Sequence, residues 1–263
     1  MRKRILAGAL AMMLPQMVQA QTVSFKDPVG DDNGPGSYVY PTDAAYTPGS
    51  FDMTGFEARQ LGTNLEFTVR MSAPLIDHWK MGGGFSTQMI FVFIRTGAGK
   101  YLDGLPGLNI RFARPGWDKV VILSPQRPAR VLTEVQVKAA PFLADVLIPQ
   151  RTRGVGSAII GSVPLAGLGG GNPAAWSYQV VVAGNEGFPS GTDLMTRKVD
   201  EYARQHRFGG GTDHDCDPHV MDVLAGTGAG MPGEVAAQAK ALAYKCGADG
   251  RTVAAATLPM LRK

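Results

Sequence analysis

SFDMTGFEARQLGTNLEFTVRMS, residues 50–72, is the stretch whose reading decides the fold. Phe51 and Met53, then Phe56 and Ala58, alternate with other residues up to the turn Gly62-Thr63-Asn64, and Leu65, Phe67, Val69 and Met71 alternate beyond it. Period-two alternation on both sides of such a turn predicts a β-hairpin with one apolar face. That face needs a cover, and the neighbouring sequence offers one. STQMIFVFIRTG (86–97) is almost continuously apolar, as expected of a central strand buried on both faces. WDKVVILS (117–124), RVLTEVQVKA (130–139), DVLIP (145–149) and WSYQVVVAG (176–184) are further strand candidates, rich in β-branched residues. GSAIIGSVPLAGLGGGNP (156–173) reads as a strand, a short turn of helix from Pro164 to Leu168, and a glycine-rich loop. With 34 glycines and 18 prolines and no helix between these strands, the chain is expected to be all-β, an antiparallel β-sandwich with a short C-terminal helix. No repeat of about 20 to 50 residues is visible, which argues against a solenoid or a propeller.

At the N-terminus, a basic Arg2-Lys3-Arg4, an apolar run to about Met17 and Val18-Gln19-Ala20 form a secretory signal pattern with cleavage expected after Ala20. The apolar run is interrupted by Pro15 and Gln16, and a spanning helix needs about 20 apolar residues. Without residues 1–20 the chain carries 23 basic against 22 acidic residues, a net charge near +1, and no segment clusters Lys and Arg with interleaved aromatics. Nucleic acid is therefore not an expected partner. Export, to the periplasm, the cell surface or the medium, would place Cys216 and Cys246 in an oxidising compartment, where a disulfide closing a loop of about 30 residues is the expected pairing. PGEVAAQAKALAYKCG (232–247) is the one helix predicted, with Pro232 near its start, Gly247 past its end, and Val235, Ala239, Leu242 and Cys246 on one face. The expected organisation is a signal over 1–20, a sandwich over 21–230, and a disulfide-tied helix and tail over 231–263.

Two loops could hold a metal. FKDPVGDDNGPGSYVYPTD (25–43) offers Asp27, Asp31, Asp32 and Asn33 as hard oxygen ligands, with Gly30, Gly34 and Gly36 letting the backbone bend. It lacks the D-x-D-x-D-G spacing of an EF-hand, and an acidic turn in which Asp and Asn cap their own backbone is the alternative. FGGGTDHDCDPHVMDVL (208–224) sets Asp213, Asp215 and Asp217 at i, i+2 and i+4, and His214 and His219 lie within it with His206 just before. Calcium on the Asp triplet, zinc or copper on the imidazoles, or a polar loop closed by Cys216 are its three readings; of the metals, calcium fits the spacing best.

Three tryptophans, Trp79, Trp117 and Trp176, are candidates for stacking against sugar rings. Trp79, in the polar turn IDHWKMGGG, is expected to be exposed, whereas Trp117 and Trp176 start strands and can equally pack in a core. Tyr38 and Tyr40 share one strand face and are expected to pack. No G-x-S-x-G, H-E-x-x-H or P-loop occurs, so no enzyme activity is expected.

Taken in order, FKDPVGDDNGPGSYVYPTD, PGSFDMTGFEARQLGTNLEFTVRM, GFSTQMIFVFI, VPLAGLG, WSYQVVVAGNEGF and RFGGGTDHDCDPHVMDVL resemble the C-terminal domain of glucodextranase and its relatives, over roughly residues 22 to 226. That family is a DOMON-like β-sandwich similar to the family 9 carbohydrate-binding modules. The resemblance implies a module that accompanies polysaccharide-degrading enzymes and surface proteins, with calcium bound in related modules. Residue by residue it carries over Asp27, Asp31 and Asp32 from the first loop and Asp213 and Asp217 from the second. This chain departs from the pattern in having no catalytic domain attached, and in adding a cysteine pair and a C-terminal helix. Related DOMON domains hold haem through Met or His; Met81, Met89 and His78 lie near one another here, but there is no C-x-x-C-H and a methionine in a β core is usually packing. The expectation is an exported, non-catalytic sandwich binding polysaccharide or a cell-envelope component through calcium-ordered loops. Its rivals are a surface-layer structural component with a protein partner and no sugar site, and a haem or redox module.

Overall fold

The computed structural model describes residues 21–212, 216–225 and 233–263; the signal pattern over 1–20, Asp213, His214, Asp215 and Pro232 lie outside them. The strands run β1 (Thr22–Lys26), β2 (Met53–Leu61), β3 (Asn64–Met71), β4 (Gln88–Arg95), β5 (Ile110–Phe112), β6 (Lys119–Leu123), β7 (Val146–Leu147), β8 (Thr152–Val155), β9 (Ala158–Pro164), β10 (Ser177–Gly184), β11 (Asp222–Val223), β12 (Lys245–Cys246), β13 (Thr252–Ala254) and β14 (Ala256–Leu258). Two α-helices, α1 (Pro128–Lys138) and α2 (Gly233–Ala241), interrupt them.

Two five-stranded sheets, ordered β1-β2-β3-β9-β8 and β11-β10-β4-β6-β7, make the sandwich. The pairings within the first are antiparallel; the second is antiparallel except where β7 joins β6 in parallel at its edge. The β2–β3 hairpin forms as its alternation requires, with Leu61 opposite Asn64 and Gly62 at φ 59° supplying the left-handed residue of a two-residue loop. A register shift between Met53 and Gly55 accounts for the break in phase between Met53 and Phe56. Phe56, Ala58, Leu65, Phe67 and Val69 then meet Ile90, Val92, Ile94, Val180 and Val182 of the second sheet in one core.

The second sheet is covered on its other face too. Met89, Phe91, Phe93, Val181 and Ala183 pack against Trp117, Phe112, Leu194, Leu258 and α1 in a separate core, which is why β4 and β10 are almost wholly buried. Part of that cover corrects the strand expected over 130–139. Val131, Val135 and Val137 satisfy a period of two, but Val131 and Val135 also stand one helical turn apart, and only these two are buried while Val137 is 74% exposed. Pro128 at the helix start and the Glu134–Lys138 pair at 2.8 Å favour the helix, so the demand for a cover over Phe91 and Phe93 outweighs β-propensity.

The C-terminal segment is part of the same body. α2 ends at Ala241, and Cys246 lies in the β12–β13 hairpin, not on the helix as expected. The buried residues of this turn series are Glu234, Gln238 and Leu242; of the predicted face, Leu242 is buried while Val235 and Ala239 are only half-buried. β14 pairs in parallel with β5, and Leu261 bridges to Tyr178 at the start of β10. The Cys216–Cys246 disulfide forms, with Cα atoms 5.8 Å apart.

Candidate functional site

The first acidic loop leaves β1 at Lys26 and doubles back beneath the second sheet. Asn33 closes the turn by accepting Gly36 N and Tyr38 N, both at 3.0 Å, on its backbone carbonyl, while Gly34 N donates to Met221 O at 2.8 Å. Gly34 has φ 59°, and a Cβ there would overlap the Tyr38 ring, so glycine is needed for the loop to lie this close. The fold thereby delivers Asp27 and Asp31 to Asp222 on β11, with one carboxylate oxygen from each lying within 4.8 Å of the other two. Asp52, at the mouth of β2, and Glu234, in the first turn of α2, lie close enough for their charges to act on Asp27.

All of these side chains are buried: Asp222 is 0% exposed, Asp31 1%, Asp52 2%, Glu234 2% and Asp27 8%. Some of their oxygens are spoken for. Asp222 Oδ2 accepts Met53 N at 2.5 Å, and Asp52 Oδ2 accepts Gly30 N at 3.0 Å. Among the described residues, Asp27 Oδ1 and Oδ2, Asp31 Oδ1, Asp52 Oδ1 and Asp222 Oδ1 have no hydrogen-bond donor, and no Lys or Arg pairs with Asp27, Asp31, Asp52 or Asp222. Burying an unpaired carboxylate is costly, and here several share one space. Burial first, and then the charges of Asp31, Glu234 and Asp52, push Asp27 up to about 9. Asp31 rises to about 7 by burial and then by Asp52, and Asp222 is raised well above the carboxylate range by burial and then by Asp27 and Asp31. Without a counter-charge this centre would hold protons at neutral pH. With one, it presents several unshared, hard oxygens and no sulfur or nitrogen ligand, a donor set suited to calcium and ill suited to zinc or copper.

The other predicted ligands are placed elsewhere. Asp32 is engaged by the Tyr40 hydroxyl, and Asn33 serves through its backbone. Asp217, fully buried, accepts Thr212 N on both oxygens at 3.1 Å and Thr212 Oγ1 at 2.9 Å, closing the late loop on itself beside the disulfide. Among the described residues, then, the late loop contributes Asp222 to the acidic centre and holds Asp217 apart from it. His219 Nδ1 accepts Val199 N at 3.1 Å, whereas His206 packs at 6.2 Å from the Trp79 ring, so these two imidazoles have separate surroundings. Met89 is a core residue beneath α1, and Met81 Sδ takes a contact from Asn185 Nδ2 at 3.8 Å.

Sequence reasoning missed Asp222, Asp52 and Glu234. The signal for the first two was a lone carboxylate inside an apolar run, HVMDVL and SFDMTG, where an acid needs a partner to be tolerated. Glu234 comes with Gln238, which ties α2 to the centre: Gln238 Oε1 accepts Val223 N at 3.0 Å, and Nε2 donates to the Asp31 carbonyl and, at 3.5 Å, to Gly34 O.

Of the tryptophans, Trp117 is fully buried in the second core, its Nε1 donating to Asp103 O at 3.0 Å, and Trp176 is 5% exposed in the first core. Neither offers a free ring face. Trp79 is 37% exposed. Tyr38 is buried, its hydroxyl donating to Pro218 O at 2.9 Å, and Tyr40 packs edge-on to Phe51 and Phe208.

Among the described residues no helix is long and apolar enough to cross a membrane. The profile of the C-terminal binding-module, SLH-like, of glucodextranase matches residues 22–260, which extends the expected resemblance through α2 and β14. No curated protein matches the chain.

Proposed function

Since the chain belongs to the family of SLH-like C-terminal binding modules of glucodextranase, we propose that it is an exported, non-catalytic module that binds polysaccharide or a polymer of the cell envelope, its loops organised by a calcium ion. The observation that carries the calcium part is the set of buried, donorless carboxylate oxygens of Asp27, Asp31, Asp52 and Asp222. The ion would be held by Asp27, Asp31 and Asp222, with Asp52 and Glu234 adding negative charge nearby. Its role would be structural: it neutralises a cluster that otherwise opposes folding, and it pins the first loop, β11 and α2 to one point.

The binding part rests on the family and on the architecture. A rigid double-covered sheet supports loops at its ends, where sandwiches commonly carry their ligand sites. Retention of residues 21–263 on insoluble polysaccharides and on purified cell envelope, in calcium and again in chelator, tests it. Retention on a glycan or on envelope that chelator weakens is expected. Passage through every matrix in the presence of calcium would reject the reading.

A further inference from the structure

Trp79 stands on a turn built to hold it still. Asp77 accepts Met81 N at 2.8 Å and Gly82 N at 2.7 Å through its carboxylate and Lys80 N at 3.1 Å through its carbonyl, and Trp79 N donates to Ser86 Oγ at 3.2 Å. Asn185 Nδ2 donates to Ser86 O at 2.8 Å, joining this turn to the loop after β10. Behind the indole lies Arg197, 8% exposed, with its guanidinium carbon 5.7 Å from the ring centre. Every nitrogen of that guanidinium is fixed: Nε and Nη2 donate to Asn185 O at 3.2 and 3.0 Å, and Nη1 to His206 O at 2.6 Å. Tyr46 and His206 meet the indole edge-on, at 6.3 and 6.2 Å. The indole is thus packed against Arg197, Tyr46 and His206 and is still 37% exposed.

Polar groups lie beside the ring, some of them buried and some exposed. The Tyr46 hydroxyl and His206 Nδ1 are buried and have no hydrogen-bond partner among the described residues. Asp43 lies beside them, its Oδ2 4.0 Å from His206 Nε2 and 3.1 Å from Gln205 Nε2, and its charge reaches both His206 and His78, the neighbour of Trp79. A flat, immobilised aromatic face bordered by a carboxylate, an amide and an imidazole is what a pyranose ring requires: its C–H face stacks on the indole and its hydroxyls donate to and accept from the rim.

We propose that Trp79 is the stacking platform of a glycan subsite that takes one pyranose unit of a polysaccharide chain, with Asp43, Gln205 and His206 as its hydroxyl partners. This rests on the binding-module reading above and narrows it to one end of the sandwich. Because Trp117 and Trp176 are buried, Trp79 is the tryptophan a soluble quencher reaches in the described structure, so its occupancy can be read directly.

The experiment compares wild type, Trp79→Ala, Trp79→Phe and Gln205→Ala on cross-linked dextran, starch, cellulose, chitin and peptidoglycan, all in calcium. Acrylamide quenching is followed during titration with soluble fragments of whichever matrix retains the wild type. The expected result is at least tenfold weaker retention for Trp79→Ala, a partial loss for Trp79→Phe and Gln205→Ala, and fragment-dependent protection of the wild-type fluorescence from acrylamide. If Trp79→Ala is unstable, the Trp79→Phe and Gln205→Ala variants and the quenching decide the question. Wild type retained, with all variants retained equally and quenching unchanged, overturns this subsite and leaves the binding-module reading standing. Wild type retained on no polysaccharide overturns polysaccharide binding itself, and the subsite with it.

Discussion

Replacing Asp222 with Asn should stabilise the protein in chelator and shrink the further stabilisation that calcium adds. The carboxylate is fully buried, with Oδ2 accepting Met53 N and Oδ1 donorless, and its ligand oxygen lies within 4.8 Å of those of Asp27 and Asp31. An Asn is nearly the same shape and keeps an oxygen for Met53 N, so the packing survives. In chelator the substitution removes a buried carboxyl that must either repel its neighbours as a charge or hold a proton to avoid doing so. At an effective dielectric of about 20, two unit charges at this separation repel by about 3 kcal/mol. Protons held by the cluster relieve part of that, which leaves about 1–3 kcal/mol of stabilisation. In calcium the same change also removes a charged ligand, and a 10- to 100-fold loss of ion affinity takes about 1.4–2.7 kcal/mol from the stabilisation that the ion adds. At roughly 2–4 °C per kcal/mol for a chain of this size, Tm of the variant should exceed that of wild type by about 2–12 °C in chelator, and its rise on adding millimolar calcium should be smaller than that of wild type by about 3–11 °C. Scanning calorimetry of both proteins in both buffers gives the four numbers. An equal calcium-induced rise in Tm in both proteins would refute the reasoning, because the difference comes only from the ion.

In chelator, wild-type stability should fall as pH rises. The folded-state values of Asp31, about 7, and Asp27, about 9, lie above the ordinary carboxylate value, so their contribution is fully present below about pH 4 and is lost on rising through these values. Tm at pH 5 should exceed Tm at pH 8 by about 5 °C or more in chelator, and saturating calcium should shrink or reverse the gap. Replacing Cys216 and Cys246 together by Ser should cost about 3–4 kcal/mol, or about 6–16 °C in Tm, because the bond closes a 30-residue separation. Gly210 has φ 89°, and a Cβ there would overlap the Ser37 carbonyl oxygen, so Gly210→Ala should cost about 2 kcal/mol or more in a denaturant melt and loosen the docking of the first loop on the late one.

What could be read in the sequence follows from where the deciding forces act. The β2–β3 hairpin, the doubly buried β4 and the strand-then-helical-turn at β9 are local patterns of alternation, apolar runs and glycine, and the structure forms them at the expected positions. The stretch 130–139 satisfied two periods at once, and only the exposed aromatic face of the second sheet, assembled from distant strands, chooses the helix. The acidic centre is non-local in the same way. Asp27 and Asp31 stood out because they share a glycine-rich loop, whereas Asp222 and Glu234 lie about 200 residues further along and reach them only through the β10–β11 pairing and the Gln238 bridge. In α2 a binary pattern misleads, since the polar Glu234 and Gln238 are the buried side chains and the partners that make this tolerable belong to other elements.

The central claim, that a cation at the Asp27–Asp31–Asp222 centre shapes this binding module, is tested most directly by calorimetric titration of calcium into chelator-stripped protein at neutral pH. The account predicts saturable binding at the acidic centre with release of protons, and loss of that binding event in the Asp222→Asn protein. No binding heat in wild type, or undiminished binding in Asp222→Asn, would contradict it.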